Sequence, residues 1–262
     1  MASEQEATEV LQKPKVTLYW LEKSRSQRIL WLLEECNIDY EVKTYKRQSN
    51  KLADPELKKI HPLGKSPVIG IETPDTKEPV ILAESGLITE YLASHFAPHL
   101  VPKQWQDGKE GQVCGETEGY LRYRYFMHYA EGSLMSLMVA SLLISSIKDS
   151  PVPFFIKPIT RGITQKFEDL YFGPNYKAQF GFLEGQLASS PDGGEYLCGK
   201  DLSAVDILMS FPMIAAKSRA GVTQEAYPTL FAYITRIEEN EGYKKSIKKI
   251  EELTGEPFNP IL

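Results

Sequence analysis

Two short polar segments of this chain carry residues that together could bind a small peptide. Lys65-Ser66-Pro67 leads into a predicted strand, and Glu84-Ser85 stands where a second predicted strand gives way to a helix. If the bond before Pro67 is cis, the backbone N–H and carbonyl of Ser66 turn outward and can pair with an extended peptide. A carboxylate and a hydroxyl at a helix N-terminus can bind the amine and the carboxylate of an α-amino acid. The alternative is an ordinary hairpin and helix cap, but the combination favours a site for a peptide with a free α-amino acid end.

These residues need a scaffold, and the first third of the chain alternates between strand and helix patterns. Strands are predicted over residues 16–21, 40–45, 68–72 and 80–83, and helical segments over residues 24–36, 55–60 and 85–96. The strands are rich in β-branched and aromatic residues, whereas Ile29, Leu32, Leu33 and Cys36 give the first helix one apolar face. The order βαβαββα predicts a mixed sheet, parallel where a helix crosses over and antiparallel at the hairpin.

After a connector over residues 97–108, the pattern is helical only. Helices are predicted over residues 109–148, 155–171 and 175–188, from Ser203 with a capping box to Asp206, and over residues 228–240, followed by a polar tail. The longest apolar stretch, residues 134–147, is shorter than a membrane span requires and predicts a buried core helix. We therefore predict an α/β domain over residues 15–97, an all-α domain over residues 109–250, and no transmembrane segment.

Composition narrows the class of protein and its compartment. Of 262 residues, 42% are apolar, enough for a sizeable core, and a net charge of −5 with both signs interspersed argues against nucleic-acid binding. Cys36, Cys114 and Cys198 are widely spaced without a CxxC pair, which argues against disulfides and a zinc site. The N-terminal residues contain no apolar segment typical of a secretory signal. These features predict a cytoplasmic protein that contains no metal.

Three segments, SRSQRILWLLEE, ELKKIHPLGKSP and LAESG, resemble the cytosolic glutathione transferases, and most closely their fungal, yeast-type branch. The resemblance covers roughly residues 15–245 and includes the S-x-x-D start of the Ser203 helix. It implies a thioredoxin-like N-terminal domain (βαβαββα), an all-helical C-terminal domain, a homodimer, and glutathione as the co-substrate. It also implies that the backbone of Ser66, before a cis proline, pairs with the cysteinyl moiety of glutathione. Glu84 and Ser85 would bind its γ-glutamyl end, and Lys65 would reach its glycine carboxylate.

An enzyme of this kind must ionise the thiol of glutathione. A free thiol has a pKa of about 8.5, so a mostly ionised thiol near neutral pH requires a shift of roughly two units, or about 2.7 kcal/mol. A charge-assisted hydrogen bond supplies about 1.5–3 kcal/mol, and a helix N-terminus adds about 0.3–1 kcal/mol. A single hydroxyl at the start of the first helix could therefore suffice. Ser24 is the candidate, with its proton free to point at the sulfur.

Other residues compete with Ser24 for this role. Ser24 and Gln27 could form a capping box, a structural role that is compatible with catalysis. Tyr19 on the first strand, Ser26 and Arg25 are the alternative activating groups, and Arg25 stands where the family often has a small residue. No cysteine occupies position 24, which argues against thiol-exchange chemistry.

The second substrate should be electrophilic and apolar, and four aromatic residues could line its cleft or pack in the core or a dimer interface: Tyr120, Tyr123, Phe126 and Tyr129. His61 stands where the family often has asparagine, so it could contact the glycine end of glutathione, but a surface-loop position is favoured, and Cys36 is predicted to be a packing residue. The sequence therefore predicts a detoxifying glutathione transferase, with glutathione peroxidase activity toward organic hydroperoxides as a further expectation. A non-catalytic glutathione-binding, ligand-binding or regulatory protein on the same fold is the alternative, and a glutathione-dependent thiol reductase is a third.

Overall fold

The first unit of the structure is a four-stranded mixed sheet with helices packed against it. The computed structural model describes residues 14–148 and 150–259; residues 1–13, to which most of the expectation about a secretory signal applies, lie outside this part. The strands are β1 (Lys15–Leu21), β2 (Tyr40–Tyr45), β3 (Val68–Glu72) and β4 (Val80–Ala83), in the spatial order β2-β1-β3-β4. β2 is parallel to β1, whereas β3 is antiparallel to both β1 and β4. Helix α1 (Ser26–Cys36) connects β1 to β2, a 3₁₀ turn (Pro55–Lys59) precedes β3, and α2 (Ser85–Phe96) follows β4, so the predicted order is confirmed.

The central strand β1 and most of the first helix are buried. Every residue of β1 after Lys15 is buried, and in α1 the five consecutive residues 29–33 expose no surface. A strand that is covered on both faces has a continuous apolar run instead of an alternating one. Helix α1 lies against α2 and against two helices of the second unit, α7 (Ala204–Arg219) and α9 (Glu241–Thr254). Both units of the chain therefore hold α1 in place.

The second unit is helical. It contains α3 (Glu118–Tyr129), α4 (Ser136–Lys148), α5 (Lys157–Phe167), α6 (Gly173–Ala188), α7, α8 (Pro228–Glu239) and α9, with π-helical turns at Ala130–Met135 and Glu168–Phe172. Ser203 and Asp206 form the predicted capping box at the start of α7. The buried Asp206 carboxylate also accepts from the Leu197 N–H at 3.0 Å and from the Tyr233 hydroxyl at 2.9 Å. One continuous apolar core joins this unit to the sheet, as expected for a thioredoxin-like domain followed by a helical domain.

The prediction of a polar tail after residue 240 is wrong, because residues 241–254 form helix α9. Asn240 caps this helix by accepting from two backbone N–H groups of its first turn. The buried side chains of α9 are Tyr243, Ser246 and Ile250, a narrow stripe that faces α1. The ring of Tyr243 meets that of Trp31 edge-on, with 5.5 Å between the ring centroids. Helix α9 therefore closes the core over the outer face of α1.

The long helix that was predicted over residues 109–148 differs from the structure in two ways. It begins at Glu118, since turns occupy residues 109–117. Its apolar stretch is buried only in part: Leu134 and Leu137 are buried, whereas Leu143 is 63% exposed, so the prediction of a buried core helix is wrong beyond residue 137. There the helix leaves the domain core and packs mainly on α5. Among the described residues, Glu118–Lys148 is one helix long and apolar enough to cross a membrane by length and composition alone, which is weak support for a span.

Candidate functional site

A cleft of about 600 Å³ opens between the loops at one end of the sheet and the helical unit. Three residues predicted for the site, Ser24, Lys65 and Ser66, line its polar wall. The same wall carries three further cations: Lys23, Arg25 and Arg47. The opposite wall is largely apolar and includes Met135, Met138, Val139, Leu142 and Phe211. The cleft thus offers a polar subsite and an apolar subsite side by side, within the size range of small-molecule sites.

The loop that carries Lys65 and Ser66 enters β3 through a cis peptide bond between Ser66 and Pro67. Lys65 is exposed, which leaves its ammonium group accessible, whereas Ser66 is half-buried. The Ser66 hydroxyl donates to the carbonyl of Tyr19 at 2.8 Å, so the loop is fixed to β1. The cis bond agrees with what the family resemblance implied for this position.

Glu84 and Ser85 lie at the same end of the sheet as Ser66, because β3 and β4 pair Val68 with Ala83. Glu84 has a φ of 75°, a left-handed conformation that is uncommon outside glycine and that concentrates at functional sites. Its side chain is exposed just before α2. The N-cap position of α2 is occupied by Glu84, whose side chain makes no capping hydrogen bond, and Ser85 is the buried first residue of the helix, so Ser85 is not its N-cap. Neither residue is among those that line the cleft of about 600 Å³.

The Ser24 hydroxyl belongs to a chain of three serine hydroxyls. It donates to the Leu21 carbonyl at 2.7 Å and accepts from the Ser26 N–H at 3.1 Å. The Ser26 hydroxyl lies 2.7 Å from that of Ser24 and 2.6 Å from that of Ser66. Each hydroxyl has one proton and a carbonyl can only accept, so the protons of Ser24 and Ser66 are committed to Leu21 and Tyr19. The expectation that the Ser24 proton is free is therefore wrong.

The alternatives to Ser24 occupy less favourable positions. The capping box with Gln27 does not form: the side-chain oxygen of Gln27 accepts from the Trp20 indole N–H at 3.2 Å, and its amide nitrogen donates to the Ser246 hydroxyl on α9 at 2.9 Å. The side chain of Tyr19 is buried in a small apolar cluster, and Tyr19 itself does not line the cleft. Ser26 is completely buried behind Ser24. Of the candidates on the sequence, Ser24 and Arg25 are the two that reach the cleft.

Arg25 brings positive charge to the polar wall and is paired with a carboxylate of the helical unit. Glu131, in the π-helical turn after α3, forms ion pairs with both Arg25 and Arg28. Burial works to raise the pKa of Glu131, but the charges of the two arginines outweigh it and hold that pKa below its usual value. The Arg28 side chain is fully buried and also donates to the Leu208 carbonyl at 2.7 Å. No signal in the sequence relates Arg25 to Glu131, which lies 106 positions away.

Two further titratable residues behave largely as predicted. His61 is half-buried in its loop, where its ring Nδ1 accepts from the Leu63 N–H at 3.4 Å. Cys36 is buried, and burial raises the pKa of its thiol to about 12, as expected of a packing residue. Within residues 14–148 and 150–259, no group of three or more His, Cys, Asp or Glu side chains could hold a metal ion.

The apolar wall differs from the aromatic set that the sequence suggested. Tyr123, Phe126 and Tyr129 are buried in the core, Tyr120 is half-buried, and none of them lines the cleft. The wall is formed instead by the turn and helix that follow α3, through the residues Met135, Met138, Val139 and Leu142. Their spacing of i, i+3, i+4 and i+7 is that of a core-facing stripe, so periodicity alone does not distinguish the two roles.

Family models and known proteins match this chain along most of its length. The family model described as "Glutathione S-transferase, N-terminal domain" matches residues 14–94, and that described as "Glutathione S-transferase, C-terminal domain" matches residues 155–249. The chain is 36% identical over 240 residues to Glutathione S-transferase 1 of Saccharomyces cerevisiae, covering 92% of this chain and 97% of that protein. It is 28% identical over 246 residues to Glutathione S-transferase 3 of Schizosaccharomyces pombe, covering 94% of this chain and 92% of that protein.

A solved structure supports the fold assignment. A glutathione transferase homolog from Lodderomyces elongisporus, solved with two GSH per subunit, has a TM-score of 0.65 to this chain. The two share 18% sequence identity, and the match covers 91% of this chain and 99% of that one. At this identity the likeness concerns the fold.

Proposed function

This chain belongs to the glutathione S-transferase family, and from that premise we propose that it conjugates the thiol of glutathione to electrophilic, apolar substrates in the cleft. The observation that carries the proposal is the juxtaposition of the cleft's two walls. Ser24, Lys65 and Ser66 lie on the polar wall, while Met138 and Phe211 lie on the apolar wall. A polar tripeptide and an apolar acceptor can therefore meet in one site.

We assign glutathione to the polar side of this cleft. The backbone of Ser66 pairs with the cysteinyl moiety, and the Lys65 ammonium binds the glycine carboxylate. Glu84 accepts from the γ-glutamyl amine, while the Ser85 hydroxyl and the N–H groups that begin α2 bind the adjoining carboxylate. These positions place the sulfur toward the beginning of α1, where Ser24 is the catalytic hydroxyl.

The proposed reaction is a thiolate displacement or addition. The thiol of glutathione loses its proton to solvent through the open cleft, and the thiolate is stabilised at the start of α1. With a chloronitroaromatic acceptor, a carbon–sulfur bond forms, the carbon–chlorine bond breaks, and chloride leaves with the electron pair. The apolar wall binds the acceptor ring and excludes water from it.

Turnover by protein that is retained on immobilised glutathione tests the proposal. We expect the full chain to bind to the resin, elute with free glutathione, and then conjugate chlorodinitrobenzene. Retention without turnover of any electrophile would instead indicate the non-catalytic binding protein. Absence of retention, together with absence of binding heat at millimolar glutathione, would refute the glutathione site itself.

Several finer properties complete the proposal. We propose a cytoplasmic, homodimeric, fungal detoxification enzyme with a thioredoxin-like domain over residues 15–97 and a helical domain over residues 109–250. Glutathione peroxidase activity would appear as glutathione-dependent reduction of an organic hydroperoxide, measured in parallel with conjugation. Light scattering gives the oligomeric state, and a monomer at micromolar concentration would refute the dimer.

A further inference from the structure

Three charged side chains form a cluster between the two units of the fold, directly beside Ser24. Arg25 precedes α1, Arg28 lies on its first turn, and Glu131 lies in the π-helical turn of the second unit. One oxygen of the Glu131 carboxylate pairs with Arg25 and the other pairs with Arg28. The Arg28 guanidinium also donates a hydrogen bond to the Leu208 carbonyl on α7. The guanidinium of Arg25 is thereby held against the cleft from the far side of the domain boundary.

The cluster carries a net positive charge, because one carboxylate is shared between two guanidinium groups. Arg28 is fully buried, and the side chains of Glu131 and Arg25 are 24% and 36% exposed. Charges in such a place are screened by salt much less than charges on the surface. The positive end of the α1 dipole lies at the same point and has the same sign.

The other charged groups that line the cleft are held differently. Arg47 donates to the carbonyls of Glu22, Lys23 and Lys51, which orients its guanidinium toward its own loop. The ammonium groups of Lys23 and Lys65 form no ion pair within the described part of the chain. Glu168 is the acidic residue of the lining. Among these cations, Arg25 is the one that a carboxylate from the opposite unit fixes, as far as residues 14–148 and 150–259 show.

We propose that Arg25 is the cation that stabilises the glutathione thiolate, and that Glu131, anchored by Arg28, is the positioning residue that holds Arg25 at the thiol. This inference rests on the proposed function, since it concerns the thiol that the proposed site binds. The Ser24 proton is already engaged by the Leu21 carbonyl, which limits what the Ser24 hydroxyl can contribute to stabilising the thiolate. A fixed cation supplies stabilisation that this hydroxyl alone cannot supply.

The test is the pKa of the bound thiol, measured from the ultraviolet thiolate band of the glutathione complex across pH. In Arg25→Ala we expect the pKa of the bound thiol to rise by about one unit. At pH values below that pKa, kcat/KM should fall about tenfold, with a smaller change in the KM for glutathione. Arg25→Lys should recover part of the shift because it restores the charge. Lys23→Ala removes a cation from the other side of Ser24 and should shift the pKa less than Arg25→Ala does.

Glu131→Gln separates positioning from simple charge. Removing a negative charge lowers the thiol pKa if only net charge matters, whereas the pKa rises if Arg25 is no longer held in place. Arg124→Ala is the matched control, since Arg124 on α3 pairs with Glu90 on α2 away from the cleft and should leave the thiol pKa unchanged.

An unchanged thiol pKa in Arg25→Ala, an equal shift in Lys23→Ala, or a lowered pKa in Glu131→Gln would each overturn the inference while leaving the proposed function intact. Should Glu131→Gln fail to fold with its buried arginine unpaired, the Arg25 and Lys23 variants decide the question. A wild-type protein that shows no thiolate band with glutathione would overturn the proposed function and this inference together.

Discussion

Replacing Ser24 by alanine removes a hydroxyl whose proton is already in use, and this fixes the size of the expected effect. In the structure that proton goes to the Leu21 carbonyl at 2.7 Å. To donate to a thiolate, the hydroxyl must exchange this neutral hydrogen bond, worth about 0.5–1.5 kcal/mol, for a charge-assisted one, worth about 1.5–3 kcal/mol. The net gain is about 1–1.5 kcal/mol, or roughly one pKa unit at 1.36 kcal/mol per unit.

Ser24→Ala should therefore raise the pKa of the bound thiol by about one unit. A raised thiol pKa means less thiolate below that pKa, so kcat/KM near neutral pH should fall about tenfold. The loss should disappear as the pH rises above the new pKa, because the thiol is then ionised in both proteins. The KM for glutathione should change little, since the peptide is bound mainly by Lys65, Ser66, Glu84 and Ser85 in the proposed site.

The measurement is a pH profile of kcat/KM with chlorodinitrobenzene, together with the thiolate band of the glutathione complex. Ser145→Ala is the matched control, because Ser145 lines the cleft from the opposite wall and should leave the thiol pKa unchanged. Full kcat/KM at every pH would show that Ser24 only shapes the start of α1. A loss that persists undiminished at high pH would refute the exchange of hydrogen bonds from which the magnitude is derived.

Three further outcomes are expected. Met138→Ser should raise the KM for an apolar electrophile several-fold without altering the KM for glutathione, because Met138 lines the apolar wall; equal changes in both would place the acceptor elsewhere. Asp206→Ala should lower the free energy of unfolding by about 3 kcal/mol or more in urea titrations, since it leaves buried donors unpaired, and an unchanged midpoint would contradict this. A thiol reagent should label the exposed Cys114 and spare the buried Cys36 in the folded chain. Folding raises the pKa of Cys36 from 9.0 to about 12, so the protonated thiol contributes its full stabilisation below pH 9.0 and loses it as the pH rises toward about 12. Urea midpoints measured on either side of pH 9.0 would detect this loss.

Local patterns predicted most of the first unit. The order of its strands and helices follows from β-branched runs and helical periodicity, and the capping box of Ser203 and Asp206 is a short-range signal. Helix α9 was not predicted, because only three of its side chains are buried: Tyr243, Ser246 and Ile250. Such a narrow apolar stripe among charged residues cannot be distinguished from a polar tail by its pattern. Such a helix is stabilised by tertiary packing, which its own sequence does not reveal.

In the candidate site too, local backbone features could be predicted from the sequence, whereas hydrogen-bond directions could not. Ser66-Pro67 and Glu84-Ser85 are recognisable because each is a local backbone feature, a loop before a strand or the start of a helix. The direction of the Ser24 proton depends instead on a carbonyl three residues back. Hydrogen-bond direction is decided by the folded loop, and the residue types permit either arrangement.

The position of Glu131 has a consequence for how the two units cooperate. The peptide-binding residues proposed here all belong to the first unit, whereas Arg25 on that unit is held by a carboxylate on the second. In the proposed site, binding and activation of the thiol would depend on different parts of the fold: the sheet and its loops would position glutathione, whereas Arg25 is held by a carboxylate of the helical unit. Because α4 continues from the turn that carries Glu131 into the apolar wall, a substrate that displaces this wall would also shift Arg25. If Arg25 stabilises the thiolate as proposed, acceptor binding and thiol ionisation would be linked through this helix.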